Sequence, residues 1–302
     1  MKINLQNEKT LAHILMCFLV IAWGFDYVPA KWGLSVMSPL VLLFLKYIIG
    51  IVTMGVILSI KRHKPIIRLK DFPVFVICAL FGELLYFGSE YKAMDYMPVS
   101  LLTIILGFVP VLSIILERIF YKRKPNGIII IGVIVCVIGI VLVIGANFHV
   151  LFEGRGLGYL LAIVAVICWN IYNFITASLK DYDSVTITFY QILCSVIMVA
   201  PIAIHLMPPA SVFTGQIIAG ILWIGTIDSG IGFLIFVYGI KKLGPTTSAL
   251  YSDFLPVTST FFGALFLHES ITVLQVIGGI LVIASAFVVI KEKGKLDEER
   301  LE

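Results

Sequence analysis

Ten predominantly apolar stretches, each long enough to cross a bilayer and joined by short connections, restrict this chain more than any other feature of its sequence. A membrane-spanning helix needs about 20 apolar residues, because each residue rises about 1.5 Å and the hydrocarbon core is about 30 Å thick. The stretches are 11–31, 39–60, 72–95, 98–119, 126–146, 156–179, 185–206, 216–240, 245–267 and 271–290. With 60% hydrophobic and 13% charged residues and a mean hydropathy of +1.06, the 302-residue chain is not composed like a water-soluble domain. The expected fold class is an all-α integral membrane protein.

Several functions are excluded by what the connections lack. The longest, Lys61 to Asp71, leaves no room for a soluble catalytic domain, and no G-x-x-x-x-G-K-[ST] phosphate loop occurs, which excludes an ATP-driven pump within the chain. The first stretch runs on through Asp26 and Pro29, so it is read as a span and not as a cleaved leader. Cys17, Cys78, Cys136, Cys168 and Cys194 all fall inside spans without metal spacing, and neither a metal nor any other cofactor is expected. The five histidines are scattered, with no His-Glu-x-x-His motif, and no Gly-x-Ser-x-Gly motif occurs, so an intramembrane enzyme is the remote alternative.

Charge sets the expected orientation. Of 22 Lys and Arg residues, 17 lie at the termini or in the connections after spans 2, 4, 6 and 8, against Lys31, Lys92 and Arg155 on the other face. The positive-inside rule then puts both termini in the cytoplasm of a multi-pass protein of the cell membrane. The net charge of +4 calls for no nucleic-acid partner.

The chain also repeats itself. Displacement by 146 or 147 residues superposes Trp23 on Trp169, Tyr91 on Tyr238, Pro98 on Pro245, Pro110 on Pro256 and Gly132 on Gly278. Residues 1–147 and 148–302 are thus expected to be two five-helix halves, the second ending in a short cytoplasmic tail. An odd number of spans per half inverts the second relative to the first, the usual build of alternating-access carriers.

Ala22-Trp23-Gly24, the Tyr91 to Pro98 and Tyr238 to Pro245 junctions, Pro256, His268-Glu269-Ser270 and Gly278-Gly279 together resemble the drug/metabolite transporter superfamily, specifically its ten-helix family with two EamA domains. The resemblance covers nearly the whole chain and implies export of amino acids, related metabolites or toxic compounds. One departure is that Arg123 stands in the first half where the second has Glu269, the nearest acid being Glu117.

A charge near the bilayer centre costs about 2.5 to 3.5 kcal/mol, so ionisable residues there face a protein interior or a wet cavity. Glu83 and Asp228 lie near the midplane in repeat-equivalent spans, and are the expected proton-coupling residues. Glu83, Tyr86, Phe87 and Glu90 share one helical face; Trp169, Tyr172, Asn173 and Thr176 share another; Trp23, Asp26 and Tyr27 lie on one side of span 1. The candidate substrate-binding residues are Trp23, Asp26, Lys46, Glu83, Tyr86, Glu90, Trp169, Asn173 and Asp228, with Asp253 as a cytoplasmic gate. Two readings of Lys46 stay open: snorkelling to the outer surface, or an ion pair with Asp26 or Glu90. Gly132, Cys136, Gly139, Gly278, Gly279 and Ala286 form small-residue stripes, read as scaffold or as a dimer seam, which leaves monomer and homodimer both open.

The sequence therefore points to a secondary transporter of amino acids or related zwitterionic or cationic compounds, working by alternating access with protons as a second partner, and the resemblance implies that it exports them. The alternative within the class is an uncoupled facilitator.

Overall fold

The computed structural model describes residues 2–122, 125–144, 156–269 and 271–299. All regular structure among them is helical, arranged as ten helices. The first half holds α1 (Lys2–Leu34), α2 (Pro39–Lys61), α3 (Leu69–Ala93), α4 (Val99–Phe120) and α5 (Gly127–Ile144). The second holds α6 (Gly156–Ser178), α7 (Ser184–His205), α8 (Gly215–Leu243), α9 (Pro245–Leu267) and α10 (Val273–Glu299). Eight are by themselves long and apolar enough to span, while α5 and α10 contribute the shorter apolar segments Gly127–Gly139 and Val273–Val289. At 33 residues, α1 is about 50 Å long, so it begins well before the span expected from residue 11.

Local chemistry marks the helix ends. Pro39 occupies the first turn of α2, where its missing N–H is not needed. Asp183 caps α7 by accepting from the Val185 and Thr186 amides, and Thr214 does the same for Ile217 in α8. The cap of α4 comes from the other half: the Glu269 carboxylate accepts from the amides of Val99 and Ser100 at 3.0 and 3.3 Å. Glu269 therefore serves a helix 170 positions away in sequence.

Inverted repetition is visible in the packing. Helix α1 lies against α8 and α9, and its counterpart α6 lies against α3 and α4; α2 pairs with α7, and α5 with α10. The small residues of α5 are consumed in that last contact. A Cβ on Gly139 would sit 2.8 Å from the Gly278 carbonyl oxygen, and one on Gly132 would sit 2.4 Å from the Val289 side chain. That seam lies within one chain. Outward-facing Phe18, Ile131, Phe261 and Phe287 present an apolar surface suited to lipid.

The irregularities repeat as well. Helix α3 winds as a π-helix over Leu80–Leu85, and α8 does so over Ile224–Gly232, so both midplane acids sit on widened turns. Helix α4 breaks at Gly107 and Phe108 ahead of Pro110, and α9 breaks over Ser252–Phe254 ahead of Pro256. Both broken helices end on a non-glycine residue in left-handed conformation, Lys122 (φ 55°) and His268 (φ 55°). The helix break expected near Pro256 is present; the side chain of the gate candidate Asp253 lies outside the described residues.

Gly82 allows α3 to meet α6, since a Cβ there would come within 2.2 Å of the Tyr172 ring. Gly82→Leu should destabilise the protein by about 1 to 3 kcal/mol through overpacking. Gly88→Ala, on the same helix with open space around it, should be near neutral. Unfolding titrations in detergent micelles will show the difference.

Candidate functional site

Between the halves lies a small cavity of about 40 Å³, walled by α1, α3, α6, α8 and the break in α9. Trp23, Asp26, Tyr86, Glu90, Trp169 and Asp228, all singled out from the sequence, line it. Tyr27, Phe87, Tyr91, Ser252 and Leu255 complete much of the wall.

The tryptophans from equivalent positions of the two halves meet edge to face, with ring centroids 5.9 Å apart and planes at 75°. Trp169 packs on Tyr86 at 4.5 Å and on Phe236 at 5.0 Å; Trp23 packs on Phe236 at 5.2 Å. They are central residues, not interfacial anchors. Glu90 is fixed by two phenols, Tyr27 donating at 2.7 Å and Tyr86 at 3.0 Å to the same carboxylate oxygen. Asp26 accepts from the Trp223 indole N–H at 2.5 Å.

Lys46 differs from both readings the sequence left open. It is fully enclosed, and its ammonium lies 2.6 Å from the Asp228 carboxylate, not paired with Asp26 or Glu90. The contact is at ion-pair distance but off hydrogen-bond alignment. Snorkelling is blocked because Phe87 lies 3.2 Å from the ammonium, with Tyr47 and Tyr91 beyond it. Two features of α8 account for the partner. Gly225 brings α8 so close to α2 that a Cβ there would lie 2.9 Å from the Lys46 carbonyl oxygen. Asp228 follows Gly225 by three residues and so lies on the same face of α8, toward α2.

Besides Lys46, two further candidates stand apart from the cavity wall. Glu83 is wholly buried, and neither carboxylate oxygen has a hydrogen-bond partner among the described residues; its backbone carbonyl accepts from the Tyr47 hydroxyl at 2.8 Å. Asn173 is likewise enclosed, with both amide atoms unpartnered among those residues. Sequence reasoning overlooked Trp223, Ser252 and Leu255. Trp223 follows no face shared with an acid of its own helix, and Ser252 and Leu255 reach the cavity only because α9 breaks there.

An inverted pair of five-helix halves around a buried acid and aromatic centre defines the class: a multi-pass membrane transporter, not an enzyme. Residues 10–145 and 156–291 each match the EamA-like transporter family, and the chain belongs to that family. It is 23% identical to YoaV, an uncharacterized transporter of Bacillus subtilis (strain 168), over 89% of this chain and 93% of that one. It is 20% identical to a probable terminal-alkyne amino-acid exporter of Streptantibioticus cattleyicolor, over 74% of each chain. A solved crystal structure, 18% identical, superposes with a TM-score of 0.71 over 92% of this chain and 97% of its own, a likeness of fold.

Breaking a buried ion pair on one side leaves an uncompensated charge, a loss of about 3 to 5 kcal/mol. Lys46→Met should be destabilising on that scale, and Lys46→Met with Asp228→Asn should recover most of it. A double-mutant cycle on thermal unfolding in micelles measures the coupling.

Proposed function

We propose that this protein is a secondary active exporter of the cell membrane, with both termini cytoplasmic. Its substrates are small zwitterionic or cationic metabolites, amino acids among them, carried by alternating access of the two halves and exchanged for protons. The observation that carries the reading is the charge imbalance at the centre: one buried lysine, Lys46, among four buried carboxylates, Asp26, Glu83, Glu90 and Asp228. Such a centre favours a ligand that brings positive charge, and the aromatic walls around it suit an ammonium or an apolar side chain. A phosphorylated or multiply anionic solute would find too little base.

Protons and a substrate ammonium compete for the same acids in this scheme. Desolvation disfavours an ionised carboxylate, so carboxylates such as Glu83 and Asp228 exchange a proton when a cation arrives or leaves. The cavity as it stands holds only a few water molecules, so a metabolite enters when the halves part. Export is supported by the relative whose name describes an amino-acid exporter. One observation favours the uncoupled facilitator instead: Asp228 is already neutralised by Lys46.

Proteoliposomes preloaded with a mixture of radiolabelled amino acids separate these readings. Acidifying the side opposite the substrate should accelerate release severalfold, and Glu83→Gln should abolish the acceleration while leaving exchange flux. Flux that ignores the pH gradient, and is unchanged in Glu83→Gln, would leave the facilitator standing and end the antiport reading.

A further inference from the structure

A second concavity, about 960 Å³, lies away from the centre, where α1, the end of α2, the α6–α7 connection and α8 converge. Its chemistry changes along its length. Leu11 and Leu15 of α1 face Leu234 and Ile235 of α8 across an apolar section. Leu11 is 48% exposed on the same flank as Ile14 and Phe18, which face outward at 50% and 67%, so this section is continuous with the lipid-facing surface. The other section is basic, formed by Lys61, Lys180, Lys241 and Lys242.

The lysines outnumber the acids that line the groove with them, Asp181 and Asp183. Asp181 is held by Arg68 at 2.6 Å. Asp183 is occupied as the α7 cap, accepts from the Thr186 hydroxyl at 2.7 Å and lies 3.1 Å from His63. Lys242 is matched by Glu8 at 2.6 Å. Lys241 donates to the carbonyls of Lys180 and Tyr182, neutral partners that leave its charge standing. Lys61 and Lys180 have no carboxylate partner among the described residues. Lys61, Lys180 and Lys241 thus have no direct carboxylate partner among the described residues, and the basic section keeps a net positive charge beside Asp183 at one end of a groove whose other end is apolar and open to the bilayer.

The geometry points to a binding site for an anionic phospholipid, its phosphate headgroup among Lys61, Lys180 and Lys241 and its acyl chain along Leu11, Leu15, Leu234 and Ile235. A soluble anion would make no use of the leucine-lined section, and a neutral lipid would make none of the lysines. Headgroup and tail follow the depth order of a membrane leaflet, basic at the surface and apolar below. This is the cytoplasmic leaflet under the orientation proposed above, although the site does not depend on it. The groove runs between α1 and α2 of one half and α7 and α8 of the other, so a bound lipid would bridge the surfaces that must separate for transport.

Native mass spectrometry of the protein released from nanodiscs of mixed phosphatidylglycerol and phosphatidylcholine tests the proposal, and both faces carry the same lipids, so orientation does not enter. Selective retention of one phosphatidylglycerol is expected. Lys61→Gln with Lys180→Gln, both exposed positions whose loss spares the core, should weaken retention roughly tenfold or more. Lys64→Gln with Lys70→Gln, outside the groove, should leave it unchanged. Equal loss in the two double variants would mean diffuse surface attraction and overturn the site. So would equal retention of phosphatidylcholine, or full competition by millimolar glycerol phosphate, which would indicate a soluble anion. Leu15→Ser should weaken lipid retention; no effect would remove the acyl-chain half of the proposal.

Discussion

An ionised group placed in hydrocarbon must find its solvent inside the protein, and in this chain Lys46 is the group that makes the demand most strongly. Its ammonium is enclosed by Asp228 and the Phe87 ring, with Tyr47 and Tyr91 nearby. Meeting that demand ties α2 to α8, and so joins the first half to the second at the midplane. Asp26 and Glu90 add carboxylates beside the pair that are held by indole and phenol donors instead of further cations, and Glu83 adds one with no donor among the described residues. The same arrangement stabilises the closed centre and leaves capacity for positive charge brought from outside.

The fold supplies this centre through paired departures from regular helix. Widened turns in α3 and α8 carry the acids, and the breaks before Pro110 and Pro256 bend α4 and α9. Small residues then set how close the helices come: Gly82 against Tyr172, Gly225 against Ile49, Gly139 against Gly278. Glu269 adds a tie of another kind, since its carboxylate fixes the start of α4 from across the repeat. Hydrophobic burial alone would not select such positions, because lipid solvates an apolar helix face as well as protein does.

Much of this was legible in the sequence for a physical reason. Spans announce themselves because hydrocarbon admits little else, and the repeat shows because Trp23 and Trp169, and Pro110 and Pro256, each meet the same local need twice. The acid and aromatic faces of α1, α3 and α6 followed from helical spacing, and part of each, with Trp169 alone from α6 and without Glu83 from α3, lines one cavity. The partner of Lys46 did not follow, because it depends on which helix comes close to α2, and that approach, set by Gly225 against Ile49, is not written in the periodicity of either helix. Ser252 and Leu255 escaped for a similar reason, since a helix break re-aims residues that periodicity assigns elsewhere. The lipid groove is assembled from residues up to 231 positions apart, Leu11 to Lys242, and no single stretch carries its pattern.

The central claim is that the acid and aromatic cavity between the halves binds a positively charged group. Thermal-shift measurements on purified protein against amino acids, polyamines, nucleosides and aromatic cations test it most directly, because a ligand that binds only the folded state raises the apparent stability. The account predicts stabilisation by amine-bearing compounds that is lost in Trp169→Ala and Asp26→Asn and kept in Glu117→Gln. Stabilisation that survives both cavity changes and disappears only in Glu117→Gln would contradict it.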